Sequence, residues 1–115
     1  MKLVKSKTEE KYRKTLICTQ EKIFNDSSLC RLLEVIKANN ETIIESAYII
    51  SHTPEQGEDI YRVLINGSLI NLIELDRLDD DVEPIFEAMS INEYKKGLAR
   101  QSRIKLAIAL DLACE

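Results

Sequence analysis

A chain of 115 residues, 44% hydrophobic and 31% charged, is long enough for one domain with its own apolar core and a well-solvated surface. Two phenylalanines, four tyrosines and no tryptophan leave no stacking platform for single-stranded nucleic acid, and a net charge of −4 with a pI near 5.1 opposes binding to phosphate backbones. The three cysteines, Cys18, Cys30 and Cys114, have no metal-site or redox spacing. No secretion-type segment opens the chain, and its longest apolar stretch, residues 104–114, is too short for a bilayer and carries Lys105 and Asp111; the expectation is a reduced, cytoplasmic protein with free thiols.

Residues 1–7 are basic and expected to fray. Thr8 is suited to cap a first helix with Glu9 and Glu10 in its first turn. Tyr12, Leu16, Thr19 and Ile23 lie along one helical stripe, flanked by Ile17 and Phe24; the β-friendly run 15–19 inside it is read as helix. Residues 25–28 are a break and a capping cluster. A second helix carries Leu29, Leu32, Leu33 and Ile36 on one face and ends at Asn39 and Asn40.

The period then falls towards two. Residues 46–51 read as a strand, residues 53–58 as a loop, and residues 59–76 as a β-hairpin turning at Asn66-Gly67, the dipeptide suited to a type I′ turn. A two-residue loop opposes Ile65 to Ser68, Val63 to Ile70, Arg62 to Asn71 and Tyr61 to Leu72. That register gives a core face of Tyr61, Val63, Ile65, Ile70 and Leu72, and a half-covered face interrupted by Arg62 and Asn71. Beyond the hairpin, Pro84 is placed to open a helix through Ile85, Phe86 and Met89. A capping box from Ser90 to Glu93 then predicts a long last helix to Cys114, with a slight bend at Gly97. The fold class expected is α+β: a three-stranded antiparallel meander packed by N-terminal helices and a long C-terminal helix, in the order α-α-β-β-β-α-α, within one domain.

Chemical motifs are absent from the sequence. His52 is the single histidine, Gly57, Gly67 and Gly97 are too scattered for a phosphate loop, and Asp79, Asp80 and Asp81 lack the spacing of a calcium loop. Cys18 and Cys114 have apolar neighbours that favour inert packing. The three Asn-X-Ser/Thr triplets, at Asn25, Asn40 and Asn66, are read as turn and cap chemistry. A basic helix face of Lys96, Arg100 and Arg103 is offset by the acidic balance of the domain. These features predict no enzyme activity, no cofactor and no metal.

Charge is segregated along the chain. Residues 1–14, 15–59, 60–94 and 95–115 carry net +4, −5, −6 and +3. The expected partner surface is therefore the acidic stretch Glu74, Asp76, Asp79, Asp80, Asp81 and Glu83, with Arg62 and Asn71 on the half-covered face, and the expected partner is a basic protein. In size and charge the chain resembles the immunity proteins that neutralise bacterial toxins, and also small secretion chaperones. The resemblance rests on no motif and carries over no residue; it implies an inhibitor of a basic, nuclease-type toxin. A small structural or regulatory homo-oligomer is the alternative expectation, with nucleic acid and membrane not expected as partners.

Overall fold

The structure, a computed structural model, describes residues 7–79 and 81–114. In chain order the elements are α1 (Lys7–Asn25), a 3₁₀ turn (Ser27–Leu29), α2 (Cys30–Asn39), β1 (Ala47–Glu55), β2 (Glu58–Ile65), β3 (Leu69–Asp76), β4 (Ile85–Ser90), α3 (Ile91–Lys95) and α4 (Arg100–Ala113). The strands form one antiparallel sheet in the order β1-β2-β3-β4. The class is α+β as expected, but the meander has four strands rather than three.

The helices form where the periodicity places them. Leu16 and Ile23 of the α1 stripe are buried, with Tyr12 and Thr19 partly so. The helix already includes Lys7, so position 8 lies inside its first turn rather than at its cap, a difference within the usual fraying of helix ends. The Thr8 side chain and residues 1–6, where fraying is expected, lie outside the described residues. Asp26 accepts the Ser28 N–H at 2.9 Å and so caps the 3₁₀ turn. At the far end of α2, the Asn39 and Asn40 side chains donate to the carbonyls of Val35 and Ile36 in the last turn of the helix.

Both faces of the sheet are covered, and this corrects the half-covered hairpin. Leu32, Val35 and Ile36 of α2, with Ile23 of α1, pack on Ala47, Ile49, Tyr61, Val63, Ile65, Ile73 and Leu75. On the opposite face, Leu16 of α1 and Leu106, Ile108, Ala109 and Leu112 of α4 pack on Tyr48, Ile50, Leu64 and Ile70. Helix α1 thus contributes to both layers.

The hairpin turn is the one expected, with φ of +50° at Asn66 and +67° at Gly67 and a Ser68 N–H to Ile65 carbonyl bond of 3.0 Å. The register is not. Ser68 is left out of the ladder, which opens with Ile65 opposite Leu69 and continues with Val63 opposite Asn71 and Arg62 opposite Leu72. Because side chains alternate, this one-residue slip transfers every β3 side chain to the other face. Asn71 and Ile73 join Tyr61, Val63 and Ile65 under α2, and Ile70 turns towards α4.

Two further expectations are corrected nearby. Strand β1 continues through Pro54 to Glu55, so the expected 53–58 loop shrinks to a turn at Gln56-Gly57, with Gly57 at φ +84°. The segment after Pro84 is strand β4, not helix: Phe86 packs on the α2 side and Met89 on the α4 side. Its apolar residues Ile85, Phe86 and Met89 fall on both faces of an edge strand none of whose side chains is fully buried, so the period-two signature that marks a strand is lost there. The capping box forms, Ser90 Oγ accepting the Glu93 N–H at 3.1 Å, but it opens only α3. Gly97, at φ +74°, turns the chain, and α4 starts afresh at Arg100; the long last helix is two helices.

Candidate partner-binding surface

The acidic stretch is the loop from β3 to β4, and it is tied down at several points. Asp76 Oδ1 accepts the N–H groups of Leu78 (2.8 Å) and Asp79 (2.9 Å), and Asp79 Oδ1 accepts that of Asp81 (2.9 Å). These are the local turns that Asp side chains favour. Arg31 reaches across from α2 to the carbonyls of Asp76 (3.1 Å) and Val82 (2.6 Å), clasping both ends of the loop. Arg77 secures it to the β1–β2 hairpin: its N–H donates to the Gly57 carbonyl at 2.8 Å, its guanidinium donates to the Glu55 carbonyl, and it lies 3.7 Å from Asp59.

The sheet register adds carboxylates that linear reading does not associate with the loop. Glu58 stands opposite Asp76 across β2 and β3, and Glu55 stands opposite Glu58 across β1 and β2. Like charges directly opposed on a sheet are destabilising. Here they are concentrated at one end of the sheet, beside exposed Asp79, Asp81 and Glu83. Among these acids stand three exposed apolar side chains: Leu78 (86% exposed), Val82 (45%) and Ile85 (56%). Apolar anchors ringed by charge are the usual anatomy of a protein-docking patch.

The other expected site residues are dispersed. Glu74 is half-buried in β3, opposite Ile60 and Ile85. Asp80 lies outside the described residues. Asn71 is 0% exposed, bonded through Oδ1 to Asn40, so it belongs to the core and not to any surface. Arg62 projects to the opposite face of the sheet, where its charge acts on Tyr94; the expected Arg62–Asn71 pairing does not exist. Glu55, Glu58, Leu78, Val82 and Ile85 are the surface residues the sequence left unmarked. Only knowledge of the register and of β4 reveals them.

Other chemistry is sparse. At the near end of β1, the His52 ring stacks on Tyr61 (centroids 4.5 Å apart, planes 12° apart) and its Nε2 lies 2.9 Å from Asp59 Oδ1. Burial, and then the Asp59 carboxylate, push the Tyr61 phenol above its usual range, with Arg77 partly offsetting them. Cys18, Cys30 and Cys114 are free thiols and all exposed, which corrects the inert packing expected of Cys18 and Cys114. Among the described residues no group of three His, Cys, Asp or Glu side chains is arranged to hold a metal ion, and no helix is long and apolar enough to cross a membrane.

No protein-family model, curated protein or solved structure matches the chain.

Proposed function

We propose that the protein is a small acidic binding module that captures a basic protein, in the manner of an immunity protein neutralising a nuclease-type toxin in the cytoplasm. The observation that supports this reading is the opposed set Glu55, Glu58 and Asp76, continued by Asp79, Asp81 and Glu83 in a loop clasped by Arg31. Mutual repulsion makes such a set costly to the isolated fold; a cationic partner relieves that cost on binding and is steered to the site by the same field. Leu78, Val82 and Ile85 supply the apolar contacts that make a steered encounter last. No catalytic role is assigned to any residue.

The test is a comparison of wild type with Asp79→Asn/Asp81→Asn. Asparagine keeps the Asp79 turn acceptor and removes only charge. The partner is captured from the source cell, identified by mass spectrometry, purified, and its association rate measured at low and high salt. A basic partner whose association slows in the variant and in salt supports the reading. A partner that is not basic, or association indifferent to both changes, overturns it.

A further inference from the structure

The two edges of the sheet are treated differently. On β1, the backbone N–H groups of Ala47 and Ile49 are taken by side chains of α1: Gln20 Oε1 accepts the first at 3.0 Å and Thr19 Oγ1 the second at 3.1 Å. The first half of that edge is closed; from His52 to Glu55 the strand is exposed. On β4, no strand of the described residues pairs with the outer edge. An open edge is a row of backbone donors and acceptors able to template another strand.

What borders that edge defines its occupant. On the α2 side, Phe86 and Pro84 with Val35 and Ala38 floor a groove of ≈ 470 Å³ whose rim carries Glu34 and Glu83. On the α4 side, β4 presents Ile85 and Met89 with exposed Glu87 between them. An added strand therefore meets apolar floor and carboxylates on both faces. Self-pairing of two antiparallel β4 strands centred on Glu87 is opposed by the same residue, since that register brings the two Glu87 carboxylates together at the two-fold axis.

We infer that β4 is extended by a fifth strand from the basic partner, an extended segment in which Lys or Arg alternates with small apolar residues. This rests on the basic-partner reading above and specifies how the partner is held: backbone hydrogen bonds to β4 supply the alignment, while Glu34, Glu83 and Glu87 select the charge.

The probe is a short capped peptide of alternating lysine and valine, compared with the same peptide N-methylated on the amides that face the protein edge. The second peptide keeps every charge and side chain but cannot pair as a strand. Binding to isotopically labelled full-length protein is followed by backbone NMR. The expected result is binding of the first peptide, slowed amide exchange and cross-strand contacts within residues 85–90, and affinity at least roughly tenfold weaker for the methylated peptide. Glu83→Gln/Glu87→Gln should weaken binding of the first peptide while leaving the melting temperature in place. Equal binding of both peptides, with changes confined to residues 76–83, overturns strand addition and leaves the acidic-surface reading standing. Binding of neither peptide overturns the added strand, and partner capture then judges the acidic surface by itself. A dimer in sedimentation whose β4 amides are already protected assigns the edge to a second copy instead and also overturns the inference.

Discussion

Asn40 donates to Oδ1 of Asn71 at 2.9 Å, joining the C-terminal end of α2 to the middle of β3 beneath the sheet. Asn71 Nδ2 has no hydrogen-bond partner among the described residues, so this single bond satisfies half of a fully buried amide. Asn40→Ala strands the other half as well and should destabilise the fold by about 1–3 kcal/mol, the cost of a buried polar group left unmet. Asn71→Val removes the amide altogether and should cost less, with the double variant close to Asn71→Val alone. Urea unfolding of the three variants checks the order.

Gly67 carries the second positive φ of the hairpin turn, and a Cβ built there lies 3.1 Å from Cβ of Ala113 at the end of α4. Gly67→Ala should lose about 1–2 kcal/mol from the left-handed backbone alone. Gly67→Val should lose more, since a branched side chain both dislikes that φ and presses on Ala113. Thermal melts of the two variants test this. Adding Ala113→Gly should recover part of the loss only if the helix end is where the added carbon strikes.

The Tyr61 phenol ionises above its usual value near 10 because it is buried and then because Asp59 lies beside it. A folded-state pKa raised above the unfolded one adds stability that is complete below pH 10 and is lost as pH rises through the folded value. Stability should therefore fall above pH 10, and Tyr61→Phe should flatten that alkaline limb. Tyr94, raised chiefly by burial, preserves part of the slope. Denaturation midpoints taken across the alkaline range in both proteins decide it; identical limbs would remove Tyr61 from the account.

Arg31 holds the loop through the carbonyls of Asp76 and Val82. Arg31→Ala should accelerate amide exchange in residues 78–83. If the acidic surface is the docking site, the partner's association should also change although no carboxylate has been removed. Exchange rates equal to wild type would show that the Asp76 and Asp79 turns suffice to order the loop.

All three thiols are exposed, so native, unreduced protein should react with a thiol reagent at three sites. Cys18→Ala should leave folding unchanged. A thiol that reacts only after denaturation would place that cysteine inside the fold.

Sequence alone determined what depends on near neighbours. The stripe of Leu16 and Ile23, the Asp26 cap, the ends of α2 at Asn39 and Asn40 and the Asn66-Gly67 turn are each fixed by backbone preferences or spacings within a few residues, and all are found. The acidity of residues 74–83 was equally legible, because charge is composition. Tertiary structure decided the rest. Whether Ser68 joins the ladder is a choice of register, and the one adopted turns Ile73 and Leu75 towards α2 and Ile70 towards α4. Apolar residues on both faces erase the alternation that would have marked Ile85–Ser90 as a strand, and its place beside β3 comes from pairing, not from propensity. The burial of Asn71 follows from that register, the opposition of Glu55, Glu58 and Asp76 from the pairing of β1, β2 and β3, and the contrast between a β1 edge capped in its first half and an open β4 edge from the strand order and the α1 side chains. Each is a relation between residues distant in the chain, and long-range pairing leaves no local signature for a sequence to carry.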